Sequence, residues 1–458
     1  MKKIVIFIGL AIAALSVLPI IGNKFVAGTI KLKVANLEQF GFGVEKSSSE
    51  SSYLSSKKHF EFLLKDADKF AKYLNKYSDK QIPMYVNAAL EGVLIGVDIQ
   101  YSNIPFTKAI SIDIYPLALS SKMAEDIQKN DKNVYTHIKN ILKSKGILYH
   151  INYNVASENF DGYLKDVDES FHLKNGAQLQ FKLQKANYKG NGELIAPKML
   201  IANIKTIDLS IVDKNGKMNF ALSSLHTSSN FNSHTTYVSS ASLGSLEMNI
   251  MSNRENITVS AKDMQANASS NDQGEKAEFN AKSSIKSLAI QSNKGRADFK
   301  DFSYDIALNG LDKQALEKIR VLALKADANT NRQIQEAIQK SIIELFAQGM
   351  QIKIADLSLQ KALLNNKEDL GGFDVKMDVN VKKDLALASK IQTSPMLLAQ
   401  NVDMTLHLKL SEPMYAKFTQ NQPMAKMLQQ FIKKDGDKII FDILFKDAAL
   451  TVNGKALR

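Results

Sequence analysis

The chain has 458 residues, 59 Lys+Arg against 47 Asp+Glu for a formal net charge of +12, and neither cysteine nor tryptophan. Without cysteine there are no disulfides, thiolate metal sites, cysteine nucleophiles or thiol-linked lipid. The length allows a large core, as one elongated body or two to three lobes; five arginines and no RNA- or DNA-binding motif give no expectation of nucleic acid.

Residues Ile4 to Gly22, IVIFIGLAIAALSVLPIIG, follow Lys2 and Lys3 and carry no charge. As a helix this run spans roughly 28 Å, close to the hydrocarbon thickness of a bilayer. It exceeds the apolar stretch of a secretory signal, and its best cleavage position, Val26-Ala27-Gly28, is interrupted by Lys24 and Phe25. The expectation is an uncleaved signal-anchor over residues 1–23, with a cleaved signal as the alternative. Because Lys24, Lys31 and Lys33 follow the run closely, basic residues at its ends do not set the orientation. The short N-terminal tail decides it, giving a single-pass protein on inner membrane lipid through residues 4–22, its body in the bacterial periplasm. Residues 1–150 carry 20 basic and 13 acidic side chains (+7), residues 151–310 carry 17 of each, and residues 311–458 carry 22 and 17 (+5). A basic first third suits anionic headgroups, although scattered lysine also keeps strand edges soluble.

Residues 24–56 read as an entry segment and a Ser-rich linker or strand. From Lys57 to Tyr77 the apolar residues Phe60, Leu63, Leu64, Ala67, Phe70, Ala71, Leu74 and Tyr77 recur at three- and four-residue steps, predicting an amphipathic helix. Residues 57–310 form a β-rich body with this helix and a second over 122–145, ended by Gly146 as a left-handed cap. Three stretches alternate on both sides of a tight polar turn: around Lys214-Asn215-Gly216-Lys217, Asn253-Arg254-Glu255-Asn256 and Asn293-Lys294-Gly295-Arg296. They predict hairpins about 40 residues apart, a weak repeat or an irregular meander. Residues 311–458 continue the body, as a helical pair (311–324 and 330–348, stopped by Gly349) followed by C-terminal hairpins. Strict alternation over 373–381 and 402–410 is half-buried strand, a short helix falls at 424–431, and a last hairpin turns at Asp435-Gly436. The sum is an α+β fold, mainly antiparallel β in a long curved or rolled meander sheet with several packing helices, plus one transmembrane helix.

The order of segments resembles the YdgA-like family of bacterial envelope proteins of unknown function. The stretches that carry the resemblance are Ala89-Leu90-Glu91-Gly92, the run Gly349-Met350-Gln351-Ile352-Lys353-Ile354-Ala355-Asp356-Leu357-Ser358-Leu359, and Ala449-Leu450-Thr451-Val452-Asn453-Gly454-Lys455. The resemblance implies an envelope location and an antiparallel β body. It implies no activity and no functional residues.

Chemistry-bearing patterns are sparse. The histidines His59, His137, His150, His172, His226, His234 and His407 form no H-E-x-x-H, and no two stand four apart on a predicted helix. His226 and His234 would need a third ligand to hold a metal. There is no G-x-S-x-G elbow, phosphate loop or dinucleotide fingerprint. Carboxylates cluster at Asp161, Asp166, Asp168 and Glu169, and Asp435 and Asp437 flank Gly436; acid/base work and a cation are the functional readings, a solvated turn the simpler one. No catalytic, cofactor or metal residue is assigned. The expected function is therefore a non-enzymatic envelope scaffold that binds an envelope protein or a second copy of itself. One alternative is a lipid- or apolar-ligand groove on a sheet that its few helices cover incompletely. The other is an unrecognised periplasmic hydrolase, with Asp166 and His150 the residues to test.

Overall fold

The computed structural model describes residues 36–77, 90–102, 109–193, 197–233, 235–253, 255–325, 332–387, 390, 399–420 and 429–457. The expected anchor at residues 4–22 and residues 424–428 of the helix expected over 424–431 lie outside them. Among the described residues no helix is long and apolar enough to cross a membrane. The fold is mainly antiparallel sheet with a few helices, and it is not closed into a barrel. It divides into two compact units after Asn230.

In the first unit β1 (Phe42–Ser51), β2 (Ser55–Leu64), β3 (Leu94–Ser102), β4 (Ala109–Ala118), β5 (Tyr149–Asn154) and β6 (Asn159–Leu164) pair antiparallel in sequence order. A bent hairpin follows. β6 runs on into β7 (Val167–His172), β8 (Gln178–Gln184) pairs with β7, and β9 (Ala186–Gly192) returns to pair with β6. The long β10 (Pro197–Asp213) takes both halves on one edge, residues 197–203 against β9 and 206–212 against β8. β11 (Gly216–Phe231) pairs on its other edge. Alternation puts Ile95, Val97, Ile99, Ile112, Ile114 and Ile151 on one face, where they are buried. Three helices supply the rest of this core: α1 (Ala67–Tyr77), α2 (Ser121–Asn130) and α3 (Lys132–Lys143), the last two through Met123, Ile127, Val134, Ile138, Ile141 and Leu142.

Two helix expectations need correction. Lys57–Leu64 is strand, because Ser56, Phe60, Phe62 and Leu64 are buried on alternate positions and helical spacing sets in only later. The helix starts after Asp66, whose Oδ1 accepts the Lys69 N–H at 2.8 Å as a cap does. The helix expected over 122–145 is two. Buried Asp131 ends the first and caps the second through the Val134 N–H, while its Oδ2 accepts the Lys174 N–H at 2.7 Å. The left-handed residue beyond it is Lys145 at φ 50°, not Gly146.

In the second unit the antiparallel order is β12 (Tyr237–Ser252), β13 (Asn256–Gln273), β14 (Lys276–Ser292), β15 (Gly295–Asp312), β16 (Met350–Leu364), β17 (Glu368–Val381) and β18 (Val402–Ser411). A short β19 (Lys433–Asp435) turns at Gly436 into β20 (Lys438–Lys446), which pairs with β18; β21 (Ala449–Val452) and β22 (Lys455–Ala456) complete the edge. The expected hairpins are present, and their strands run to 16–18 residues. The helical pair α4 (Lys313–Lys325) and α5 (Arg332–Ala347) stands where a tip turn would join β15 to β16, and α6 (Glu412–Thr419) follows β18.

Each of β12 to β16 slips its apolar alternation once. Leu243, Met264, Ile285, Phe302 and Leu359 are cross-strand neighbours in one row; Leu246, Ala261, Leu288, Phe299 and Ala362 are neighbours in the next. Within every strand the two residues stand three apart yet share a face, as the joint packing of Phe299, Phe302, Leu359 and Ala362 requires. Left-handed residues carry the slip in alternate strands, Asp263 at φ 50° and Asp301 at φ 51°. Asp tolerates that conformation better than most side chains. A slip of this kind bends a strand, and here it falls at one level across five.

Gly41, at φ 88°, lies against the Asp66 backbone, and its carbonyl accepts the Lys65 and Asp66 N–H groups at 2.7 and 3.1 Å. A Cβ there would strike the Asp66 carbonyl oxygen. Gly41→Ala is expected to cost about 3 kcal/mol or more; equilibrium urea unfolding should show a lower midpoint at unchanged slope, and an unmoved midpoint would refute the packing described.

Candidate functional site

The polar face of the first unit carries a row of directly opposed residues: Ser48 on β1, His59 on β2, Asp98 on β3, Asp113 on β4, His150 on β5 and Tyr163 on β6. Strand alternation places them there, because the intervening isoleucines and valines point into the core. His59 Nδ1 lies 2.6 Å from Asp98 Oδ1, and His150 Nδ1 lies 2.6 Å from Asp113 Oδ1. The His150 ring stacks on Tyr163 with centroids 4.9 Å apart. Asp98 Oδ2 accepts from Tyr115 Oη at 2.9 Å and from Lys145 Nζ at 2.6 Å, and that ammonium sits 3.9 Å over the Tyr115 ring. Around the His59 end lies a cavity of about 360 Å³ lined by Ser48, Glu50, Lys57, His59, Asp98, Gln100, Ser111 and Asp113, among others.

Two carboxylates face each other across β3 and β4 here, an arrangement that by itself destabilises a sheet. Each is balanced locally, Asp98 by Lys145, Tyr115 and His59, Asp113 by His150. Burial opposes ionisation of Asp98, but the hydrogen bonds from Lys145, His59 and Tyr115 outweigh it and hold its carboxyl below the usual carboxylate range. Burial likewise disfavours the Lys145 ammonium, and its bonds to Asp98 and Tyr115 more than restore it, raising its pKa. Both Asp98 oxygens are thus occupied, and His59 Nε2 faces Glu61 Oε1 at 3.4 Å rather than a hydroxyl. This is the bonding of a structural network. An acyl-transfer site needs the second histidine nitrogen on its nucleophile.

The other histidines follow the same habit. His137 Nε2 is 2.8 Å from Glu169 Oε2 and its ring packs edge-on against Phe171; His407 Nδ1 is 2.6 Å from Asp442 Oδ1. His226 Nδ1 meets Asn203 Oδ1 at 2.6 Å, His172 ends β7, and His234 lies outside the described residues. Among the described residues no group of three or more His, Cys, Asp or Glu could hold a metal ion.

The carboxylate cluster expected around Asp166 is spread along β6 and β7, with separate partners. Asp161 accepts from Asn152 Nδ2 at 3.2 Å, Asp168 pairs with Lys182 at 3.0 Å, and Glu169 holds His137. Asp166 Oδ1 accepts the Lys185 N–H at 2.7 Å, tying together the two bends of the kinked hairpin, where Lys185 sits at φ 51°. Asp435 pairs with Lys409 at 3.0 Å, and the Asp437 carbonyl accepts the Glu412 N–H at 3.1 Å. In the first unit, Tyr149 on β5 and Tyr188 on β9 stack at 5.1 Å. Burial, eased slightly by a bond from Tyr188, pushes the Tyr149 phenol up to about 12.

The second unit presents a different surface. An apolar face runs from strand to strand, and among the described residues helices cover it at the strand ends. α4 and α5 pack Leu316, Leu345 and Phe346 onto Leu308, Leu311, Met350, Ile352, Val379 and Val381. At the opposite ends Met414 of α6 packs onto Leu359, Ala362 and Phe373, and Tyr415 onto Leu408, Ile439 and Phe441. The rows between belong to no buried cluster among the described residues. Tyr304, Leu357 and Val375 form one such row; Ile306, Ile354, Met377 and Leu406 form the next, and all seven are only half-buried. The result is an apolar trough running across the strands, roughly 14 Å from β15 to β18 at the usual strand spacing; on β14 the same rows continue as Ser283 and Ala281. The sequence showed its alternation but not its lack of cover.

A family model described as "Bacterial protein of unknown function (DUF945)" matches residues 1–458. No curated protein and no solved structure matches the chain.

Two substitutions test these roles. A carboxylate with a depressed native pKa contributes stability above its unfolded value, near ~3.9, that is lost as pH falls through its lower native value. The melting difference between wild type and Asp98→Asn should therefore be largest near neutral pH and shrink below about pH 4; a constant difference would exclude the ionised network. Asp166→Ala should lower the unfolding free energy measured in urea by about 1–2 kcal/mol, and preservation of stability would show that the bend does not need this tie.

Proposed function

We propose, for a chain that belongs to the bacterial family of unknown function DUF945, a non-enzymatic envelope protein that holds an elongated apolar ligand, such as lipid acyl chains, in the trough of its second unit. Residues 4–22 anchor it in the inner membrane and the body lies in the periplasm. The observation that carries this reading is the half-buried band between the two helix-covered ends. A sheet that fills its own interior buries such rows. Here Ile306, Ile354, Met377 and Leu406 sit side by side and, among the described residues, belong to no buried cluster. Apolar area left in water forgoes about 25 cal/mol per Å², so an occupant of matching shape is favoured, and contiguous patches of this kind are unusual on monomers.

The polar row of the first unit gives no support to hydrolysis, since its carboxylates and histidines bind one another. A simple scaffold would not require the trough to stay open. A second copy laid over the same rows would bury them equally well, and the oligomeric state separates that case from a bound lipid.

Native mass spectrometry of the full chain, extracted in mild detergent, should show one protomer carrying mass in the phospholipid or fatty-acid range. Ile354→Lys and Met377→Lys each place a charge in the trough and should abolish that mass while leaving the far-ultraviolet circular dichroism unchanged. A lipid-free protomer, or a dimer that the same charges dissociate, would refute the proposal.

A further inference from the structure

The β1–β2 hairpin ends in Ser52-Tyr53-Leu54, where Tyr53 is 94% and Leu54 58% exposed. Beyond its first two residues β1 is exposed along its whole length, so the tip stands clear of the core. It is also pre-formed. The Ser52 N–H donates to the Ser55 carbonyl at 2.8 Å, Ser52 Oγ accepts the Ser55 N–H at 3.1 Å, and the Ser51 and Ser56 hydroxyls meet at 2.8 Å. Little conformational freedom remains to be lost on docking. Just behind the tip Lys57 and Lys58 point to opposite faces of β2. Among the described residues neither has a carboxylate within 4 Å; Glu50, the cross-strand neighbour of Lys57, is the one acid in this half of the hairpin.

We propose that this tip docks into the headgroup region of an anionic bilayer, Tyr53 at the interface, Leu54 toward the acyl chains, and Lys57 and Lys58 on the phosphates. A rigid tip with an aromatic, an aliphatic and two lysines without acidic partners has the composition of an interfacial anchor. The chain's uncharged run at residues 4–22, of bilayer-spanning length as a helix, names the occupant as lipid rather than protein. The inference rests on the reading that this run holds the chain at a membrane, and it adds a second point of contact that sets how the first unit stands on the surface.

The chain contains no tryptophan, so Leu54→Trp gives a single reporter in the full chain. Reconstituted into vesicles of phosphatidylcholine and phosphatidylglycerol, the variant should sediment with lipid. Its emission should shift to the blue and be quenched by brominated acyl chains. Adding Lys57→Glu and Lys58→Glu, or raising the salt, should reverse both changes without releasing the protein. Sedimentation with unquenched, water-like emission overturns the docking. Quenching that ignores the lysine changes overturns the headgroup contact, and failure to sediment overturns the membrane reading on which both depend.

Discussion

A sheet with one apolar face must have that face covered, and the two units meet this constraint differently. In the first unit three helices complete the core over β3, β4 and β5, and Ile95, Ile99, Ile112, Ile114 and Ile151 are sealed. In the second, strands of 14–18 residues run to about 46–60 Å, against a helix diameter of about 10–12 Å. Cover at the strand ends leaves the middle half-exposed. The trough follows from that mismatch of lengths, since the residues along it are as apolar as those at the covered ends.

Much of this was legible in the sequence because period-two patterns are unambiguous when a polar turn brackets them. The hairpins at Lys214–Lys217, Asn253–Asn256 and Asn293–Arg296, the helical pair before Gly349 and the turn at Gly436 were all placed correctly. The failures have physical causes. Phe60, Leu63, Leu64 and Ala67 satisfy helical spacing, but Ser56, Phe60, Phe62 and Leu64 satisfy strand spacing too, and pairing with β1 and β3 decides between them. Helix 122–145 was drawn as one because Asp131 reads as a polar-face residue until its buried caps are seen. The far halves of the long strands escape a simple period-two pattern because their alternation changes phase, as at Asp263 and Asp301.

Of the candidate chemistry, the sequence could show only which residues were present. The pairing of His59 with Asp98, His150 with Asp113 and His407 with Asp442 depends on register between strands 35–39 residues apart in the chain, and no local motif encodes it. Once register is known, His150, the histidine named for a hydrolase test, is seen to pair with Asp113. The Asp166 cluster dissolves in the same way, into a hairpin bend, two cross-strand partners and the contact of Glu169 with His137 of α3.

The aligned change of phase also bears on how such a chain can drift. Inserting or deleting one residue within a long strand would turn half of that strand inside out against two neighbours that stay put. Only a matched change in every strand would restore the fit, so the lengths between turn and slip are held collectively. The turns at 214–215 and 293–294 are under no such restriction. Insertions among relatives should therefore gather at hairpin tips and at the site of α4 and α5, where the ladder has already admitted a helical pair in place of a turn.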